Sequence, residues 1–239
     1  MITRRTFLAA AGALALPQER GDGHVTAAIK PPSLAIAPGE HRLGLGAERD
    51  GLLIVPPRYR KETPAPLAIM LHGAGGSSRR VAALFAVATE LNVVLLVPES
   101  RGSSWDAIRG RFGPDVDFLS RAVAHTIERC AIDRRRVAVG GFSDGASYAL
   151  SIGLASGDLF THVLAFSPGF IAPSSVRGRP RIFIAHGITD EVLPIGRTSR
   201  RIQPELQNAG YAVKYQEFDG PHTVPPAIAR QGFDWFLAG

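Results

Sequence analysis

Five short, uninterrupted apolar runs constrain this chain most: LAIML at residues 67–71, VVLLV at 93–97, VAV at 137–139, VLAF at 163–166 and IFIA at 182–185. A strand with one wet face alternates apolar and polar residues, whereas a run with no polar side must be covered on both faces, as in a parallel sheet. Between the runs lie segments of helical period. Residues 115–130 place Leu119, Ala122, Val123, Thr126, Ile127 and Cys130 on one helix face. Residues 146–155 are rich in Ala, Leu and Ile, and residues 226–237 suit a closing helix. Further strands are expected at 41–47, 51–55 and 213–218. The alternation is that of βαβ units, so the expected fold class is α/β, a mostly parallel central sheet with helices on both faces. No repeat or compositional break divides residues 41–239, which are expected to form one domain preceded by a linker at 16–40. The connection between the runs at 163–166 and 182–185 contains Pro168, Pro173 and Pro180 and leaves no room for a large helical lid.

Residues 1–15, MITRRTFLAAAGALA, have the layout of a secretory leader: Arg4 and Arg5, a mildly apolar run, then a small-x-small cleavage signal. The apolar run is too short for a permanent membrane anchor. Residues 3–8 resemble the twin-arginine export signal, which implies a bacterial protein exported, already folded, to the periplasm or beyond.

Composition removes several classes of function. Hydrophobic residues make up 45% and charged residues 20%, so disorder and coiled coil are excluded. The net charge of +6 could suggest nucleic acid, but basic residues occur singly or in short groups such as Arg134, Arg135 and Arg136, without interleaved aromatics. No nucleic-acid partner is expected. A single cysteine, Cys130, permits no internal disulfide and supplies too few thiols for a zinc or iron–sulfur site. No metal and no cofactor are expected.

The chemistry concentrates at Gly141-Phe142-Ser143-Asp144-Gly145, a G-x-S-x-G segment between the strand ending at Val139 and the helix beginning near Ala146. At such a junction the glycines allow a sharp turn that exposes the serine hydroxyl. A serine needs a base to take its proton and a carboxylate to orient that base. His222, in a Gly-Pro-His turn after the strand at 213–218, is the candidate base. Asp190, a short loop after the strand at 182–185, is the candidate carboxylate. Asp144 and Asp219 are rivals, the first with its side chain expected to point away from the serine. His72 and His186 each end a buried strand before a glycine and are expected to be structural or wall residues. His24, His41, His125 and His162 are expected at the surface or in capping positions. The small residues of Leu71-His72-Gly73-Ala74-Gly75-Gly76 let backbone N–H groups approach a substrate, so Ala74, then Gly75, together with the N–H of Asp144, are candidate oxyanion donors. Trp105, Phe142 and Phe170 could border the cleft or belong to the core.

With its chain order Ser143, Asp190, His222, the sequence resembles the α/β-hydrolase superfamily. It is most similar to the small serine esterases grouped as phospholipase/carboxylesterases and to the related polyhydroxybutyrate-depolymerase and feruloyl-esterase-like proteins. The resemblance runs from about residue 51 to 237 and is carried by residues 66–76, by 139–145, by His186-Gly187 with Asp190 and Pro194, and by Gly220 with His222. It implies hydrolysis of small carboxylic esters through an acyl-serine, without cofactor or metal. It also implies a triad of Ser143, Asp190 and His222, with Ala74 supplying the second oxyanion N–H. The elbow departs from those families at Asp144-Gly145-Ala146, where Gln or Asn followed by two glycines is usual. Thioesters, lactones, peptides and polyesters remain open as substrates, and a non-catalytic binding protein on the same fold is the reading from a different class.

Overall fold

A computed structural model describes residues 21–46 and 48–238. The expected leader and the first part of the expected linker lie outside the described residues. In chain order the elements are β1 (Gly39–Arg42), β2 (Gly51–Val55), β3 (Ala65–Leu71), α1 (Ser78–Leu84), α2 (Val87–Glu90), β4 (Val94–Pro98), α3 (Pro114–Arg129), β5 (Ile132–Phe142), α4 (Asp144–Ala155), β6 (His162–Phe166), β7 (Arg181–Gly187), α5 (Ser199–Asn208), β8 (Val213–Phe218) and α6 (Pro226–Leu237). The eight strands form one sheet in the order β1-β2-β4-β3-β5-β6-β7-β8. Its first three members pair antiparallel and the rest parallel.

The apolar runs are continuous because successive side chains enter two different cores. Leu67, Ile69 and Leu71 of β3 face one cluster together with Val137 and Val139 of β5, and there they meet Leu119, Val123 and Ile127 of α3, Leu150 of α4 and Ile202 of α5. Ala68 and Met70, with Leu164, Phe166 and Phe183, face the other, which contains Val81 and Phe85 near α1 and Ile228, Phe233 and Phe236 of α6. Pro114 at the start of α3 has no N–H to leave unsatisfied and carries the φ a first turn needs. Asp115 and Asp117 in that turn, and Arg129 in the last, complement the helix dipole.

Sequence periodicity missed α1, α2 and α5. The first two are short, and α5 contains Pro204 with only Ser199, Ile202 and Leu206 buried. The first strand spans Gly39–Arg42, earlier than the expected 41–47, because the chain leaves the sheet at Leu43, and the loop after it is held by Asp50, whose carboxylate accepts the N–H groups of Gly44, Leu45 and Gly46. The described part of the expected linker is laid against the domain. Val25 is fully buried and its N–H donates to Ser156 Oγ, and the N–H groups of Ser33 and Leu34 share the carbonyl of Glu128. Residues 167–180 contain no helix. Their N–H groups at Gly169 and Ala172 donate to Ser147 and Ser151, which ties this connection along α4.

Candidate active site

Ser143 stands between β5 and α4 with φ 58° and ψ −122°, a left-handed conformation that costs a non-glycine residue about 1–3 kcal/mol. The turn is held on both sides. The Ser143 N–H donates to the Phe166 carbonyl at 3.0 Å, and its own carbonyl accepts the N–H groups of Ala146 and Ser147. It can be this tight because Gly145 runs directly over β3: a Cβ there would lie 2.3 Å from the Leu71 carbonyl oxygen.

Three parallel strands deliver the remaining groups to the same edge of the sheet. Asp190 follows β7, His222 follows β8, and the 72–76 segment follows β3. The Ser143 hydroxyl lies 3.0 Å from His222 Nε2, and His222 Nδ1 lies 2.6 Å from Asp190 Oδ2. With Nδ1 donating to the carboxylate, Nε2 is left as the acceptor for the serine proton. The His222 ring also packs on Phe142, with centroids 4.6 Å apart. Asp190 Oδ1 accepts the N–H groups of Val192 and Leu193 at 2.9 and 2.7 Å. Burial of this carboxylate opposes its charge, but the Leu193 N–H and His222 outweigh that and hold it below the usual carboxylate range.

The 72–76 segment lies against the serine, since a Cβ on Gly73 would approach Ser143 Cβ to 3.2 Å. His72 accounts for its shape. Its Nε2 accepts the Ser100 N–H at 3.0 Å and is 3.2 Å from the Arg49 guanidinium, so the proton sits on Nδ1, which donates to the Gly73 carbonyl at 2.7 Å. That carbonyl also takes the Gly76 N–H. In a trans peptide the C=O and N–H point opposite ways, so the Ala74 N–H is directed away from these donors. Among the described residues neither the Ala74 nor the Asp144 N–H has a protein acceptor. Gly75, the second-ranked donor, is corrected: its N–H is committed to the Ser103 carbonyl at 2.7 Å.

The structure brings Ser143, Asp190 and His222 together. Asp144 turns its carboxylate aside to accept the Ser104 hydroxyl at 2.6 Å, and Asp219 is exposed. His72 and His186 are structural, but more closely tied to the site than wall residues: His72 hydrogen-bonds the Gly73 carbonyl, and His186 hydrogen-bonds the Leu193 carbonyl in the loop that holds Asp190. His162 is a correction. It is buried at the start of β6 between the Trp235 and Phe236 rings, because α6 closes over that end of the sheet. Trp105 belongs to the core: it is fully buried, donates Nε1–H to the His72 carbonyl and stacks on Tyr148. Phe142 and Phe170 are half-buried. Sequence reasoning missed Arg49, whose side chain reaches His72 and the carbonyls of Gly76 and Ser100. No motif marks it. Among the described residues no group of histidine, cysteine, aspartate and glutamate could hold a metal ion, and no helix is long and apolar enough to cross a membrane.

The sheet order, the strand-to-helix turn at Ser143 and the loops bearing Asp190 and His222 define an α/β-hydrolase fold. Residues 111–228, which contain all three side chains, match the model of the phospholipase/carboxylesterase family. A protein of Nocardia uniformis subsp. tsuyamanensis named as an esterase, NocK, is 29% identical over 70% of this chain and 46% of its own length. Prolyl endopeptidase FAP of Bos taurus is 32% identical over 48% of this chain and 17% of its own length. The chain thus spans less than half the length of these curated relatives. A phospholipase/carboxylesterase structure from Dyadobacter fermentans DSM 18053 superposes with a TM-score of 0.59 at 20% identity, covering 81% of this chain and all of that one, a likeness of fold.

Proposed function

We propose that this protein is a serine hydrolase that cleaves carboxylic esters of small molecules through an acyl-serine intermediate. The observation that carries the reading is the continuous path from the Ser143 hydroxyl through His222 to Asp190, at 3.0 and 2.6 Å. His222 takes the proton of Ser143 as its oxygen attacks the ester carbonyl, and Asp190 stabilises the imidazolium that forms. The tetrahedral oxyanion is held by the N–H groups of Ala74 and Asp144. His222 then gives its proton to the departing alcohol, and water, activated by the same imidazole, releases the acid and restores Ser143. No step needs a metal or cofactor. The phospholipase/carboxylesterase match and the likeness to NocK support ester rather than other acyl substrates.

The test is turnover of p-nitrophenyl butyrate and labelling by a fluorophosphonate probe. Ser143→Ala should lose both, and Asp190→Asn should lose about 10³–10⁴-fold in kcat with the fold retained. A folded Ser143→Ala variant that keeps wild-type turnover would reject the assignment. A wild-type protein that no probe labels would favour a binding protein on this fold. A second reading, a peptidase, is favoured by the likeness to prolyl endopeptidase FAP, and prolyl-peptide substrates in the same assay separate the two.

Export is part of the same proposal and is supported by residues 3–8 alone. Changing Arg4 and Arg5 to lysine should retain the protein in the cytoplasm of a bacterial host with a twin-arginine pathway. Unchanged periplasmic recovery would sink it.

A further inference from the structure

Asp190 is approached by two imidazoles, and only His222 faces Ser143. The other is His186, near the end of β7, whose side chain has no exposure at all. Its Nε2 lies 3.1 Å from Asp190 Oδ2 and 2.9 Å from the Leu193 carbonyl oxygen. Its Nδ1 lies 2.7 Å from Ser199 Oγ, at the start of α5. Two acceptors face Nε2, so the ring proton must sit there; a ring protonated only on Nδ1 would set a lone pair against a carboxylate and a carbonyl. Nδ1 then accepts the Ser199 hydroxyl. One ring proton, donated to the Leu193 carbonyl with Asp190 Oδ2 beside it, suits this arrangement, and burial disfavours a second.

We propose that His186 is a positioning residue: a neutral, Nε2-protonated imidazole, its tautomer set by Ser199, that shares Asp190 Oδ2 with His222 and thereby sets the basicity of His222. The assignment deepens the serine-hydrolase reading and rests on it. The carboxylate receives three hydrogen bonds, from the N–H groups of Val192 and Leu193 on Oδ1 and from His222 on Oδ2, and the His186 Nε2–H, donated to the Leu193 carbonyl, lies against the same Oδ2 at 3.1 Å. These contacts on both oxygens stop it from rotating away from His222. Each donor also draws off part of the negative charge. Without His186 more of that charge falls on His222 and its imidazolium is held more strongly. The same imidazole, through the Leu193 carbonyl, braces the loop that supplies the Oδ1 donors. The ionisable groups facing His186 are Asp190, His222 and, from β8, its register partner Glu217, which is already paired with Arg200 of α5.

The test compares His186→Leu, which has no donor, with His186→Gln, whose amide nitrogen can reach the Nε2 position, and with Ser199→Ala, each in the full chain. Two readouts are used: the pH profile of kcat/KM on p-nitrophenyl butyrate, and the ring-nitrogen NMR signals of His186 and His222. His186→Leu should move the acidic limb and the His222 titration up by about half a unit to one unit, with kcat falling more than KM changes. His186→Gln should return the limb toward the wild-type position, and Ser199→Ala should give a smaller shift in the same direction. Wild-type His186 should show the Nε2–H tautomer. A folded His186→Leu variant with an unmoved limb overturns the assignment, as does an Nδ1-protonated His186. If His186→Leu does not fold, an unmoved limb in Ser199→Ala overturns it. Absence of ester turnover in the wild type would count against the serine-hydrolase reading instead, because the NMR tautomer and the His222 titration need no turnover.

Discussion

Gly187 lies so close beneath Gly220 that a Cβ on it would stand 2.3 Å from the Gly220 carbonyl oxygen and 2.5 Å from that of Pro221. This contact lets the loop after β8 cross the end of β7 and set His222 on Asp190. The crossing is reinforced by the Ile188 and Thr189 N–H groups, which donate to the carbonyls of Phe218 and Gly220. Gly187→Ala should therefore push the His222 loop outward without disturbing the core. A displacement of about 1 Å at a reacting group costs about 100-fold in rate, so kcat/KM should fall by at least that much while the circular dichroism spectrum is unchanged. Wild-type turnover in Gly187→Ala would show that the loop has room to spare.

The His72 imidazole orients the peptide that presents the Ala74 N–H. Replacing it with leucine removes the donor to the Gly73 carbonyl and frees that peptide to turn. Loss of one aligned oxyanion donor costs about 10²–10³-fold in kcat, and partial misalignment should cost about tenfold or more with little change in KM. His72→Asn, whose amide nitrogen can occupy the Nδ1 position, should recover part of the loss. Equal kcat in His72→Leu and wild type would remove His72 from this role.

Acid should weaken the fold through His162. Burial pushes its imidazole down to about 4, from an ordinary 6.5, with Arg181 and Arg136 adding to the effect, and among the described residues Nε2 has no hydrogen-bond partner. The unfolded chain takes up this proton near pH 6.5 and the folded chain only near pH 4. The folded state therefore keeps its full stability above pH 6.5 and loses it as pH falls between those values. The loss should be about 2 kcal/mol once solvent screening is allowed for. Urea denaturation at pH 7 and pH 4.5 measures it, and His162→Phe should shrink the difference by that amount. An identical pH dependence in the variant would assign the acid sensitivity elsewhere.

Cys130 should be inert in the native protein. It is fully buried after α3, and burial pushes its thiol up to about 12, so almost no thiolate exists at neutral pH. A disulfide-exchange reagent should find no reactive thiol in native buffer and one equivalent after denaturation. Rapid native labelling would contradict this burial.

Much of the architecture is legible in local chemistry. The period-2 alternation of Leu67 to Leu71 between two cores requires a layer of helices on each face, and a glycine on either side of Phe142-Ser143-Asp144 permits a strained turn. Such features depend on neighbouring residues, so they can be read along the chain. The rank order of candidate bases and carboxylates is readable too, because strand ends and Gly-flanked turns mark where loops leave a parallel sheet.

What only the tertiary structure decided is which groups touch across long separations. Arg49 reaches His72, Ser199 reaches His186, and the Gly75 N–H is spent on Ser103 instead of being free for a substrate. None of these pairs has a spacing or pattern that announces it. The tautomers of His72 and His186 follow from partners that strand order and loop crossings bring within hydrogen-bond reach. A sequence shows that Ser143, Asp190 and His222 have the right chemistry and the right order. The sheet aligns them, since contacts of 2.6 and 3.0 Å depend on the ends of β5, β7 and β8 opening at the same edge of one sheet.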